Sequence, residues 1–184
     1  VTKFFYDWEF NEDGKTIDPI SVGIVNYDTG DTFYAVSNEF DTRRVANHWW
    51  LMDNVMSSIQ HDKFVTADFQ GKPFVKDIHV TDPNAMSLND IKLGILDFIG
   101  KSQAELWAWY SAYDHVCLAQ LFGRMIDLPE TVPMITFDIK QLHKEAEYCE
   151  MPKQPEGLHN ALEDAKFNVV RYNYLKEKLN GKEQ

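Results

Sequence analysis

The run Phe4-Phe5-Tyr6-Asp7-Trp8-Glu9-Phe10 constrains this chain more than any other segment. It is aromatic-rich and short enough to be a strand, and in a strand residues two apart share a face. Asp7 and Glu9 then sit side by side, with Tyr6, Trp8 and Phe10 turned to the opposite face. So many large rings place the strand near the middle of a sheet, where adjacent acids are costly. Two unit charges about 4 Å apart repel by about 4 kcal/mol at an effective dielectric near 20. A divalent cation removes that cost, and carboxylate oxygens favour hard ions, Mg²⁺ or Mn²⁺, over zinc.

Two later segments carry the same chemistry. Glu105 to Tyr110 reads as a strand, and Asp114 opens a helix that runs to Phe122 and stops at Gly123. His159 stands five positions before Asp164, at the start of a last helix from near Asn160 to about Leu179. His48 and Asp53 repeat that spacing but fall inside the amphipathic stretch Arg44 to Gln60, ahead of the Asp114 segment, and are read as a coincidence. Each residue also has an ordinary reading. Asp114 could be a helix N-cap, His159 an exposed helix-start residue, and Asp7 and Glu9 solvent-facing strand residues. The order strand, strand-to-helix turn, C-terminal helix favours the assembled site.

The remainder of the chain fits around these segments. Pro19 to Tyr27 and Thr32 to Val36 read as strands joined by a hairpin over Asp28-Thr29-Gly30-Asp31, with the Gly supplying the unusual backbone angle. With the first run they form an antiparallel meander. Arg44 to Gln60 reads as a helix, and residues 61–86, with Gly71, Pro73 and Pro83, as an irregular insertion. Ser87 and Asp90 give a capping-box-like start to a helix through Ile99. Met134 to Phe137 is a strand leading to Asp138, the N-cap of a helix to Tyr148. The expected architecture is α/β: a mixed five-stranded sheet, its first three strands antiparallel, flanked by helices. Residues 1–184 are expected to form a single domain, with residues 180–184 a frayed tail.

The segments FFYDWEF, ELWAWYSAYDHVCL and EGLHNALEDA resemble the three exonuclease motifs of the DEDDh branch of the ribonuclease H-like 3′-to-5′ exonucleases. Within it the chain is most similar to compact bacterial exoribonucleases related to the mycobacterial polyadenylate-specific 3′-exoribonuclease AS. The resemblance implies a ribonuclease H-like fold, metal-binding carboxylates at Asp7, Glu9, Asp114 and Asp164, and a general base at His159. The cofactor would be two Mg²⁺ ions, with Mn²⁺ as a substitute, and the reaction would release nucleoside 5′-monophosphates from the 3′ end of single-stranded RNA. Phe10 departs from the pattern, because proofreading-type members usually carry Thr there. Trp8, Trp109, Tyr110 and Tyr113 cluster around the acids in sequence and could stack a terminal base, with core packing the ordinary reading of Trp8 and Trp109; Trp8, Phe10 and Tyr113 are the candidate substrate contacts. A homodimer is compatible with the resemblance.

Three other readings stay open: the same chemistry on DNA, a hydrolase of very short oligonucleotides, and a non-catalytic module that binds nucleotide ends. A module would not need His159. The net charge of −11 is unusual for a nucleic-acid binder, since phosphate neutralisation supplies most of such affinity. A small footprint on a few terminal nucleotides reconciles the two. Arg43, Arg44, Lys140, Lys144, Lys166 and Arg171 are the candidate phosphate contacts, each with a solvated helix face as its ordinary reading. No apolar stretch is long enough to span a membrane, and no signal-peptide pattern precedes the first strand. Only two cysteines, Cys117 and Cys149, are present. A cytoplasmic, reducing location is the expectation. Phosphate-binding loops, paired CxxC motifs, HExxH and GxSxG are all missing from the sequence.

Overall fold

The computed structural model describes residues 1–101 and 103–181. The chain runs through β1 (Thr2–Glu12), β2 (Ile17–Asn26), β3 (Thr32–Ser37), α1 (Thr42–Ala46), α2 (Trp49–Asn54), β4 (His61–Ala67), β5 (Pro73–Val80) and β6 (Ala85–Met86). It continues with α3 (Leu88–Ile99), β7 (Ala104–Ala108), α4 (Ala112–Gln120), β8 (Thr136–Asp138), α5 (Ile139–Glu145) and α6 (Ala161–Asn180).

The aromatic run lies inside β1, and β1 is central. The main sheet has the order β6-β3-β2-β1-β7-β8. β1, β2 and β3 are antiparallel neighbours, whereas β7 is parallel to β1 and β8 parallel to β7. The expected five strands are therefore six among the described residues. The sixth, β6, is a two-residue edge pairing Val36 with Ala85 and Ser37 with Met86, too short to leave an alternation in the sequence.

Residues 61–86 are not the irregular insertion the composition suggested. β4 and β5 form a separate antiparallel ribbon. Two of the residues that read as breakers have places in it: Gly71 takes φ 78° in the turn, and Pro73 starts β5, where a missing donor is tolerated. The expected helix from Arg44 to Gln60 is also interrupted. α1 ends at Ala46, and His48 starts α2 by accepting the Leu51 N–H on Nδ1 at 3.3 Å. That cap is the structural role of the first His-x4-Asp pair. In the tail, Asn180 closes α6, and residues 182–184 lie outside the described residues.

Alternation along β1 sorts its side chains onto two cores. Phe4, Tyr6 and Trp8 pack with Ile91 and Ile95 of α3, Leu106 of β7 and Leu118 of α4. Phe5 turns the other way, onto Ile139 of α5 and Tyr172 and Leu175 of α6. Each such side chain contributes about 1.5–3 kcal/mol when fully buried, so the register of β1 is strongly fixed. A slip of one residue would drive Asp7 and Glu9 into the first core.

Candidate active site

Sheet topology opens the cleft. Strands 2 and 3 step away from β1 in one direction and strands 7 and 8 in the other, which makes the β1/β7 boundary the switch point where crevices form in α/β sheets. Pairing between β1 and β7 ends at Phe5 and Trp107, whereas β1 continues to Glu12. Beyond Phe5 the β7-facing edge of β1 is free to bond something else. Asp114 takes that position: its Oδ1 accepts the backbone N–H of Trp8 at 2.8 Å. The cleft has a volume of about 290 Å³, and its walls include Asp7, Glu9, Asp114, His159, Asp164 and Arg171.

Asp7 and Glu9 leave β1 on the α6 side, as alternation requires. Asp164, Asn168 and Arg171 answer from α6 at i, i+4 and i+7, one face of a helix. Asn168, fully buried, donates from Nδ2 to the Tyr6 carbonyl at 3.2 Å and accepts Arg171 Nη1 on Oδ1 at 2.8 Å. The helix is thus pinned to the strand that carries the first two acids. Asp114 lies in the first turn of α4, three residues after Ser111 at the N-cap position. Its carboxylate serves β1, so it is not the cap of its own helix.

His159 sits just ahead of α6 with φ 61°, a left-handed conformation rare for a residue with a side chain. Such strain persists only where surrounding contacts impose it. Here the His159 N–H donates to Asp164 Oδ2 at 2.8 Å, Asn160 caps the helix by accepting from Leu162 and Glu163, and the imidazole meets Trp50 edge-on at 4.8 Å. A ring nitrogen of His159 and one oxygen each of Glu9 and Asp164 lie within 4.8 Å of one another.

The four acids are held where charge is costly. Burial first, then the charges of Asp114, Glu9 and Asp164, push Asp7 well above the ordinary carboxylate range, with Arg171 opposing. Burial and the charges of Asp164 and Asp114 lift Glu9 to about 8. Asp114 is raised to about 7 by burial, against the Trp8 N–H, which favours its charged form. Asp164 is raised by burial too. Four oxygen-donor groups that resist ionisation together are suited to a hard divalent cation, which would favour the charged form of each. The residues present therefore fit such ions.

The structure brings Asp7, Glu9, Asp114, His159 and Asp164 into one cleft, whose lining also includes Trp8, Phe10 and Tyr113. The Trp8 side chain is only 3% exposed and belongs to the α3-side core. Alternation had already placed it opposite the acids, and what it brings to the site is its backbone N–H. Phe10 and Tyr113 line the cleft as a stacked pair, centroids 5.5 Å apart and planes within 6°. The register shifts between Glu9, opposite Ser21, and Phe10, opposite Pro19, yet Phe10 still packs against the α3-side core while it lines the cleft. The sequence reading missed Trp50 and Gly23. Gly23 faces Asp7 across the β1–β2 pair, and a Cβ there would strike the backbone of Ala161 and Leu162. Only a glycine lets the first turn of α6 lie this close to the sheet.

Known proteins resemble this chain in sequence and in fold. It matches the 3′-5′ exoribonuclease Rv2179c-like domain over residues 2–175. Two proteins of Mycobacterium tuberculosis, the 3′-5′ exoribonuclease Rv2179c of strain H37Rv and the 3′-5′ exoribonuclease MT2234.1 of strain CDC 1551, are each 36% identical over 180 residues, spanning 94% of this chain and 92% of theirs. In structure, an exonuclease I from Methylocaldum szegediense superposes with a TM-score of 0.59 at 12% identity, covering 96% of this chain and 40% of that one. A second exonuclease I superposes with a TM-score of 0.54 at 10% identity, covering 96% and 43%. The chain thus spans about two-fifths of those larger proteins, and the likeness establishes a shared nuclease fold.

Proposed function

This chain belongs to the 3′-5′ exoribonuclease Rv2179c-like family, and from that premise we propose that it removes nucleoside 5′-monophosphates one at a time from the 3′ end of single-stranded RNA. The observation that carries the proposal is the meeting of four acids and His159 in one cleft, each acid held above its ordinary pKa in the absence of a cation. Asp7, Glu9, Asp114 and Asp164 would hold two divalent ions, Mg²⁺ or Mn²⁺. Such a pair, when bound, supplies activation of the attacking water and stabilisation of the departing 3′ oxygen. His159 would accept the proton of the attacking water on a ring nitrogen as general base. Its strained backbone and the Trp50 ring hold it in place. Asp114 serves twice, as a ligand and as the anchor that keeps α4 against β1 through the Trp8 N–H. Phe10 and Tyr113 flank the site as a surface for the terminal nucleotide.

The test is a pair of variants read for turnover of RNA and for the thermal shift produced by Mg²⁺. Asp7→Asn should keep the fold and lose turnover, with a smaller metal-induced shift. His159→Ala should lose turnover and keep the shift. Full activity of Asp7→Asn would remove the ligand assignment, and loss of the shift in His159→Ala would make the imidazole a ligand instead of the base.

A further inference from the structure

Three of the six basic residues singled out in the sequence are neutralised. Arg43 pairs with Asp77 at 3.2 Å, Arg44 with Asp13 at 3.3 Å and Lys166 with Glu163 at 2.7 Å. Lys140 and Arg171 differ: neither has a carboxylate within ion-pair distance among the described residues, and both are gathered around one indole. Lys140 Nζ lies 4.7 Å and Arg171 Cζ 4.8 Å from the centre of Trp109. Their polar partners are neutral. Arg171 bonds the Asn168 amide, and Lys140 Nζ lies 3.2 Å from His143 Nδ1. The tautomer follows from the other ring nitrogen, Nε2, which is 2.8 Å from the Cys149 carbonyl and so must donate, leaving Nδ1 to accept. In a chain of net charge −11, two cations are gathered at one indole beside the cleft: Arg171 faces the charges of Asp164 and Asp7, and the Lys140 ammonium has rings and a neutral acceptor around it.

The same place carries an exposed ring on a fixed backbone. Tyr110, 60% exposed, lies 5.3 Å from Lys140 Nζ and adopts φ 59°, left-handed like His159. Asp138 Oδ1 fastens the pair by accepting both the Tyr110 N–H at 3.1 Å and the Lys140 N–H at 2.8 Å. Trp109, Tyr110 and Arg171 line the cleft itself, so the patch continues the site away from the carboxylates.

We propose that Lys140 and the ring of Tyr110 form a subsite for the nucleotide preceding the 3′-terminal one, with the ammonium on its 5′ phosphate and the phenol ring against its base. This rests on the exonuclease reading above and specifies how the substrate strand is held. Ring stacking tolerates any base, and one ammonium on one phosphate gives grip without a broad basic face. The acidic overall charge is then compatible with a strand substrate.

The experiment compares wild type with Lys140→Ala, Lys140→Met and Lys140→Arg on two substrates with Mg²⁺. One is a ten-nucleotide single-stranded RNA. The other is the p-nitrophenyl ester of uridine 5′-monophosphate, which has no preceding nucleotide. Lys140→Ala and Lys140→Met should raise KM for the RNA by about 10-fold, the scale of one charge-assisted hydrogen bond, with kcat within about twofold. Both should leave hydrolysis of the ester unchanged, and Lys140→Arg should restore the RNA KM. The dependence of log(kcat/KM) on log salt should fall by about 0.7 in Lys140→Ala, one released counterion on a single strand. An unchanged RNA KM, or an equal loss on both substrates, would overturn the subsite while leaving the exonuclease reading intact. Failure of the wild-type protein to hydrolyse either substrate would overturn both.

Discussion

Replacing Gly23 with Ala is the smallest change expected to separate the two halves of the site. Gly23 pairs with Asp7 and lies under the first turn of α6, and the added methyl would meet the backbone of Ala161 and Leu162. Backbone has no rotamer with which to yield. The turn would have to lift by about 1 Å to restore ordinary carbon contacts of about 3.5–4.0 Å. Gly23 has no positive φ, so loss of glycine flexibility in the unfolded chain favours Ala by about 0.4–1 kcal/mol. Overpacking opposes this by typically about 1–3 kcal/mol and should win. At about 2–4 °C per kcal/mol for a domain of this size, the thermal midpoint should fall by several degrees. Activity should suffer more, because the lifted turn carries Asp164 and is preceded by His159. A displacement of about 1 Å costs about 100-fold in rate. Gly94→Ala is the control. Its methyl would meet the Phe33 ring at 2.7 and 2.8 Å on α3, away from the cleft, and should change stability while sparing kcat. The assay is differential scanning fluorimetry beside steady-state RNA hydrolysis. Wild-type kcat in Gly23→Ala, with an unshifted midpoint, would refute the reasoning.

Metal and pH should act on stability together. The folded protein holds Glu9 at about 8 and Asp114 at about 7, both above their unfolded values. Between about pH 4 and 8 the folded state therefore binds more protons than the unfolded state, and the contribution of these groups to stability falls as pH rises. Mg²⁺ replaces those protons, so its thermal shift should be larger at pH 8 than at pH 5.5, and equal shifts measured by scanning fluorimetry would contradict the assignment. Tyr113→Ala should remove the partner of Phe10 and raise KM for RNA by roughly 5- to 100-fold, since a stacked base is worth about 1–3 kcal/mol. An unchanged KM would leave the pair as packing alone.

Alternation made the acids of β1 legible, because a strand with rings at 4, 6 and 8 has only one other face for Asp7 and Glu9. The same rule excluded Trp8 from that face, and its burial follows. Phe10 keeps to the same side as Trp8 and lines the cleft stacked on Tyr113 of α4, a contact between distant segments that alternation cannot reveal. Asp164, Asn168 and Arg171 lie at helical spacing, so the α6 face of the site was readable once the helix was placed. Gly23 and Trp50 were not. Their roles depend on contacts with Ala161, Leu162 and His159 more than 100 residues away in sequence. The β4–β5 ribbon was hidden for a different reason: its strands are largely exposed, and the inward contacts of β5 come down to Ile78 with Val75 and Val80 beside it, too few to stand out as an alternation.

Metal-dependent shortening of a strand from its 3′ end is the property that the assembled cleft of acids and His159 should confer. Single-stranded RNA labelled at its 5′ end, incubated with the purified protein in Mg²⁺, in Mn²⁺ or in chelator and resolved on a denaturing gel, reads that property in one experiment, with DNA of the same sequence alongside. A ladder of products shortening from the 3′ end in either metal, faster on RNA than on DNA and lost in chelator, is the predicted result. An intact strand in every lane from folded protein, or cleavage that persists in chelator, would contradict it.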